Sequence, residues 1–293
     1  MSLRFDLQSH STHSDGALEA AEVVDRAARA GVQLLALTDH DTVSGVTEAL
    51  RAGERHGVHV VPAIEISAID PDSPKPRELH ILGYLIDHSD PAFQLRLSGF
   101  LSDREQRTLR MADALREAGL QLDDREIQSR LAAGKPIGRP HLANAVLGHQ
   151  ANDERLRKEG IDDVGSLIRA YLIEGRAAFR LRQTPTVAQA LQTIHDAGGL
   201  AIWAHPFWDI PDPPDVLATI DRFTALGMDG VEAFYVTHDR QQTELLASRC
   251  EELGLLTTGS ADFHGPEHRL FSRFLAFETY DHEPNLGPIA MPS

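Results

Sequence analysis

The stretch Leu3-Arg4-Phe5-Asp6-Leu7-Gln8-Ser9-His10-Ser11-Thr12-His13-Ser14-Asp15-Gly16 reads as a short apolar strand, Leu3 to Leu7, running straight into a polar cluster of histidine and acid. A helix follows over Ala17 to Ala30, where Leu18, Ala21, Val24 and Ala28 recur at three- and four-residue steps. Gly31 stands where a helix commonly ends. The unit then repeats. A second strand, Gln33 to Thr38, runs into Asp39-His40-Asp41, and a second helix spans Ser44 to His56. A third strand, Val58 to Ser67, carries Glu65 near its end. The loop Asp70 to Glu78 holds three prolines and leads to a fourth strand, Leu79 to Ile86.

From Pro91 to Arg182 the pattern is helical, over Phe93 to Ala118, Asp123 to Ala133, Pro140 to Leu147 and Val164 to Glu174. Alternation then resumes: helix Pro185 to Ala197, strand Leu200 to Ala204, helix Pro214 to Ala225, strand Gly230 to Tyr235, helix Arg240 to Leu253, strand Leu255 to Ser260. The tail from Pro266 is irregular apart from an expected edge strand at Phe274 to Phe277. Alternating β and α units imply a parallel sheet covered on both faces. Seven strands point to an α/β fold, a distorted seven-stranded βα barrel of the TIM-like kind. Residues 1–90 and 183–293 would form the barrel, and residues 91–182 a small all-helical insertion acting as a lid over the site.

The chain has 293 residues, 42% hydrophobic and 25% charged, which is a soluble globular composition. A net charge of −16 argues against sequence-blind binding of duplex DNA, which depends on Lys and Arg meeting phosphates. No apolar run reaches the length of a membrane helix, and Met1-Ser2-Leu3-Arg4-Phe5-Asp6 has no signal-peptide character. The one cysteine, Cys250, cannot form an internal disulfide, which fits a cytoplasmic setting. The oligomeric state is not legible. Fifteen histidines make the chain a metalloenzyme candidate.

The chemistry-bearing residues collect at strand ends: His10, His13 and Asp15, then Asp39, His40 and Asp41, then Glu65, His205, Asp262 and His264. His80 departs from this rule by opening its strand. In a βα barrel those ends form one rim, so residues 250 positions apart meet. Imidazole with carboxylate suits Zn, Mn or Fe, and the donors outnumber what one ion needs. Two or three divalent ions, with Glu65 as a bridge, would use them and lower the pKa of a bound water.

These segments carry a resemblance. Asp6 to Gly16, Thr38-Asp39-His40-Asp41, Ile64-Glu65-Ile66-Ser67, His80-Ile81-Leu82-Gly83-Tyr84, Ala204-His205-Pro206 and Gly259 to Gly265 together resemble the polymerase and histidinol phosphatase (PHP) family of metal-dependent phosphoesterases. The branch it looks like dephosphorylates nucleoside monophosphates or 3′,5′-bisphosphates, and some relatives are 5′→3′ exoribonucleases on short RNA. The resemblance implies three metal positions: His10, Glu65 and Asp262; Glu65, His80 and His205; Asp15, His40 and His264. The metal would be Mn, Zn, Fe or Mg. It also implies that Ile137-Gly138-Arg139-Pro140-His141 brings Arg139 and His141 to a substrate phosphate. In a phosphatase reading His205, His141 or a metal-bound water would protonate the leaving oxygen. One residue departs from the family pattern of His-x-His. Its first histidine is Gln8 here, a weaker oxygen ligand that would lower affinity at the first position and so reduce activity.

Blander readings stand beside these. Asp15 also suits a helix cap. One of Asp39 and Asp41 would orient His40, and a turn role fits either equally. Arg139 also reads as a solvated arginine. Phe207 and Trp208 read as core or, less favoured, as a base-stacking wall. The histidines outside the motifs are given no role, with His238 the nearest miss because it follows the sixth strand. An amidohydrolase barrel is a competitor, but Leu79 to Ile86 has no lysine to carbamylate.

Overall fold

The computed structural model describes residues 3–73 and 76–291; Met1, Ser2 and Pro74, which figure in the readings above, lie outside them. The first part of the chain forms β1 (Phe5–Asp6), α1 (Ala20–Ala30), β2 (Leu34–Leu37), α2 (Val46–His56), β3 (His59–Asp70) and β4 (Arg77–Tyr84). Next come α3 (Pro91–Glu117), α4 (Arg125–Ala132), α5 (Arg139–Leu147), α6 (Asp153–Glu159) and α7 (Val164–Leu167). The last part forms α8 (Val187–Asp196), β5 (Leu200–Trp203), α9 (Pro206–Asp209), α10 (Pro213–Ala225), β6 (Gly230–Tyr235), α11 (Arg240–Leu253) and β7 (Leu256–Ser260). Two compact units result, Met1–Leu97 with Pro185–Ser293, and Ser98–Thr184. Among the described residues no helix is long and apolar enough to cross a membrane.

The seven strands lie side by side in chain order. Leu7 N–H donates to Gly259 O at 3.1 Å and His10 N–H to Phe263 O at 2.8 Å, so the first strand meets the last and nearly closes a barrel. Strand residues alternate between two cores, as the pleat requires. Leu34 and Ala36 face the interior with Phe5, Leu7, Ala63, Leu82 and Ile202. Leu35 and Leu37 face outward and meet Val23, Val24 and Ala27 of α1 and Ala49 and Ala52 of α2. Gly31, at φ 83°, ends α1 by donating to the Ala27 and Ala28 carbonyls. Reciprocal side-chain bonds cap α8 (Thr186 with Gln189) and α11 (Asp239 with Gln242).

Three expectations need correction. The sheet is not all parallel: β4 runs antiparallel to both β3 and β5. Only residues 71–76 separate β3 from β4. A parallel return needs a crossover of a dozen or more residues, so the chain can only fold back as a hairpin. The edge strand expected at Phe274 to Phe277 is absent, because Leu275 sits at φ 59° and breaks the extension. Its backbone N–H donates to Asp6 instead, while Phe274 stacks on Phe263. Finally, α6 was not read. It offers Leu156 as its one buried side chain and is laced by Arg155–Glu159 and Lys158–Glu154 pairs, leaving no apolar stripe to see. The Ser98–Thr184 unit has its own core, including Met111, Leu115, Ile127, Leu142 and Leu172.

Gly83 on β4 tests the packing of α8 on the barrel. A β-carbon there would stand 2.9 Å from Ile194 and 3.1 Å from Ile64. Gly83→Ala is expected to cost about 1–3 kcal/mol by overpacking, read as a lowered denaturant midpoint; an unchanged midpoint would mean this contact is looser than described.

Candidate metal centre

Each donor side chain is placed by a local device on the barrel rim. After β1, the loop through Ser14 is tied down by Asp39, whose carboxylate accepts from the Ser11 N–H (2.8 Å), the Ser11 hydroxyl (2.7 Å) and the Ser14 hydroxyl (2.6 Å). Gly16 is obligatory, since a β-carbon would lie 2.2 Å from the His10 carbonyl oxygen. His40 and Glu65 form a parallel bridge beyond β2. Asp41, at φ 55°, donates its N–H to the Glu65 carbonyl and accepts from Ser67 N–H. Both aspartates therefore hold the loops, which is the turn role, and neither bonds His40 in these contacts.

The position of His80 follows from the hairpin. Because β4 is antiparallel, its early residues lie at the same rim as the late residues of β3, and His80 pairs with Ser67. His205 and Asp262 adopt left-handed backbones, at φ 31° and 53°. Such strain on non-glycine residues costs of order 1–3 kcal/mol each and persists where surrounding structure imposes it. The His205 N–H is held by Glu232 Oε2 at 2.9 Å. The His264 Nδ1 lies 2.7 Å from the Asp262 carbonyl oxygen.

The donors converge in three overlapping groups: His10, Asp15, His40 and His264; His40, Glu65 and His80; and His10, Glu65 and Asp262. Glu65 is the hub. Its Oε2 stands 3.1 Å from His10 Nε2 and 3.6 Å from His40 Nδ1, and its Oε1 stands 2.9 Å from His80 Nδ1 and 3.2 Å from His205 Nε2. His80 Nδ1 and His205 Nε2 are themselves 3.3 Å apart, so His205 joins this second cluster. Asp15 lies 3.5 Å from His264 Nε2 and 3.7 Å from both His10 and His40. Donors ~2.1 Å from one tetrahedral ion would stand roughly 3.4 Å apart, close to these separations.

The donor chemistry also fits a cation. His10 Nε2 and Asp262 Oδ1 are buried 3.1 Å apart, yet neither has a hydrogen-bond partner. Burial opposes charge on His10, but Asp262 and Glu65 outweigh it and hold its pKa well above the ordinary value. Burial likewise opposes charge on His205, and Glu65 and Asp209 nonetheless bring it up to about 10. Burial would raise Glu65; the charges of His40 and His80 and the close rings of His10 and His205 hold it well below the usual range. Asp262 is drawn down to about 2, since His264 and His10 overcome its burial. Five imidazoles and three carboxylates with so little exposure to solvent suit divalent ions.

Gln8 differs from its expected role. Its amide nitrogen donates to Glu65 Oε2 at 2.9 Å, and its oxygen accepts from the Ser260 hydroxyl at 3.4 Å, so the carbonyl is not turned to the donors. His13 belongs to none of the groups among the described residues. Arg139 and His141 lie in the Ser98–Thr184 unit, at the start of α5. There His141 Nδ1 accepts the Gly138 N–H at 3.1 Å, and Arg104 Nε donates to the Ile137 carbonyl at 3.0 Å.

Three residues escaped the sequence reading. Buried Glu232 accepts from His205 N–H and from the Ser260 hydroxyl (2.6 Å), and burial pushes its pKa up to about 8. Tyr235 donates its hydroxyl to Asp262 Oδ2 at 2.8 Å. Asp209 places Oδ2 3.7 Å from His205 Nδ1. A charge inside the apolar run Gly230 to Tyr235 was the available signal for Glu232. His238 is buried, with Nδ1 3.1 Å from the Ala233 carbonyl oxygen and its pKa lowered to about 4 by burial.

Comparison with known proteins follows this geometry. The PHP domain model matches residues 6–179. A 5′-3′ exoribonuclease of Haemophilus influenzae is 33% identical over 91% of this chain and 92% of its own length. A 3′,5′-nucleoside bisphosphate phosphatase of Chromobacterium violaceum is 31% identical over 89% of this chain and 87% of its own. A solved structure of an amidohydrolase from Chromobacterium violaceum, with bound sulfate and no metal, superposes with a TM-score of 0.80 at 28% identity, covering 99% of this chain and 94% of that one.

Two outcomes are expected of the centre. Glu65→Gln removes the shared anionic donor and should weaken metal binding by more than the ~10–100-fold that outer-shell changes cost, measured by calorimetry on stripped protein; retained affinity would remove Glu65 from the hub. The second concerns pH. In stripped protein, the raised pKa values of His10 and His205 give stability that is full below about 6.5 and lost as pH climbs through about 10. The lowered Glu65 and Asp262 give stability present above about 4.5 and lost as pH falls through about 2. Denaturant unfolding should therefore show a maximum between about pH 4.5 and 6.5, and a steady gain from pH 6.5 to 9 would contradict the pairing.

Proposed function

This chain belongs to the PHP domain family and is a metal-dependent phosphoesterase, and from that premise we propose that it removes phosphate from a small nucleotide, a nucleoside monophosphate or 3′,5′-bisphosphate. The observation that carries this reading is Glu65 shared between His10 and His40 on one oxygen and His80 and His205 on the other. Divalent cations bound there (Mn, Zn, Fe or Mg) supply Lewis acidity and a coordinated water of lowered pKa.

The chain's own residues do the rest. His10, Glu65 and Asp262 would hold one cation, Glu65, His80 and His205 a second, and Asp15, His40 and His264 a third. Asp209 Oδ2 lies 3.7 Å from the outer nitrogen of His205 and adds negative charge beside that ring. With its Nε2 among the donors, His205 is taken up as a ligand, and the leaving-oxygen proton falls to His141 in this reading. Acceptance of Gly138 N–H by His141 Nδ1 leaves the ring proton on Nε2, the atom that would face the phosphate. Arg139 contributes a guanidinium fork to the phosphoryl oxygens.

A second reading, a 5′→3′ exoribonuclease on short RNA, is favoured by the Haemophilus influenzae relative. Metal-loaded protein is expected to release inorganic phosphate from a nucleotide panel, whereas a ladder of mononucleotides from a labelled oligonucleotide would move the assignment to the exonuclease. Release from neither, with Mn, Zn or Mg supplied, would end the phosphatase reading. Arg139→Ala should lower kcat/KM about 10²–10³-fold while metal content stays unchanged. Gln8→His should raise metal affinity at the first position, read by calorimetry; an unaltered titration would show that Gln8 does not limit it.

A further inference from the structure

We propose that Trp208 is the platform on which the base of the nucleotide stacks, making this indole the residue that selects nucleoside phosphates from other phosphate monoesters. The inference rests on the phosphatase reading and adds the part of the substrate that the metal centre cannot recognise.

The adjacent pair Phe207 and Trp208, ambiguous in sequence, is split by the fold. Phe207 is buried, its ring edge-on to His238. Trp208 is 51% exposed, and it is the one exposed Phe, Tyr or Trp side chain among the described residues. An indole left this open forgoes burial that the other aromatic side chains obtain. Its place makes the exposure informative. Its backbone N–H donates to the carbonyl of His205 at 2.9 Å. Its ring rests on Phe271, with centroids 5.6 Å apart. Phe271 in turn packs 5.4 Å from the ring of His264, and its carbonyl accepts the His264 N–H at 2.9 Å. The indole is thus tied to two donor-bearing loops at once, those that follow β5 and β7.

The support beneath it is itself aromatic. His268 stacks on Phe271 at 4.9 Å with planes 18° apart, and buried Tyr235 packs on Phe271 from inside. A half-exposed ring propped by other rings and held by a main-chain bond offers a surface for another flat π-system. A phosphate gripped at the metal centre brings its aglycone next to that surface. A nucleobase has the flat face to use it, and stacking works with any base. A sugar or glycerol has no such face. The one strained residue of this turn, His205 at φ 31°, sets the direction in which the short helix α9 carries Trp208.

The experiment uses the full chain loaded with Mn²⁺ and two esters that differ only in the base, adenosine 5′-monophosphate and ribose 5-phosphate. Trp208→Ala is expected to raise KM for the adenosine ester about 5- to 150-fold with kcat little changed. It should leave ribose 5-phosphate kinetics as they were, and Trp208→Phe should recover most of the loss. Equal shifts for both esters, or no shift for either, would overturn the proposal. Fluorescence provides a readout independent of turnover. Trp203 is fully buried, so quenching by an added nucleotide reports on Trp208. Adenosine 5′-monophosphate should quench the wild type and ribose 5-phosphate should not, and the difference should vanish in Trp208→Phe. If the wild type hydrolyses neither ester, the phosphatase reading fails on its own, and equal quenching by the two compounds would overturn the stacking platform separately.

Discussion

A single carboxylate, Glu65, is buried at the rim of the barrel with imidazoles on both of its oxygens. An ionised group in that position is costly unless positive charge surrounds it. Four histidines from four different strand ends meet that need, and their own burial is tolerable only because the carboxylates are there. Removing any member leaves its partners uncompensated, so the set is held together as a unit. Divalent cations resolve the same conflict more completely than protons do, because the ring nitrogens then use lone pairs rather than competing for hydrogen bonds.

The backbone accepts strain to assemble this set. Asp41, His205 and Asp262 occupy left-handed conformations, and each lies at or beside a donor. The surrounding loops over-determine them. Asp39 gathers Ser11 and Ser14, Glu232 holds the His205 N–H, and Asp6 accepts the Ala261 N–H at 3.0 Å just ahead of Asp262. The hairpin of β3 and β4 belongs to the same economy of placement. By reversing one strand it delivers His80 to the rim from the opposite chain direction. The barrel is distorted where the chemistry is, and regular where α1 and α2 cover β2.

Charge is unevenly shared along the chain. The segment Ser98–Thr184 holds 15 of the 28 basic residues but only 13 of the 44 acidic ones. The rest of the chain, with 13 basic and 31 acidic residues, therefore carries −18, more than the whole net charge of −16. Cations bound among the donors would offset that charge locally.

Much of this was legible in the sequence. Strand and helix periodicity, Gly31 as a helix stop, and histidines and acids at strand ends are local signals, written within a few residues of one another. They were enough for the seven-stranded barrel, and the structure brings the candidate donors of its strand ends into three overlapping groups. What the sequence could not state is which way β4 runs, that Leu275 breaks an apolar run, that Gln8 turns its nitrogen to Glu65, or that Trp208 stays open while Phe207 is buried. Glu232 was hidden for the same reason, since its meaning lies in Ser260 and the His205 N–H and not in its neighbours along the chain. Local propensity depends on adjacent residues, whereas strand direction, amide orientation and exposure are decided by partners far away in sequence that only folding brings within bonding distance.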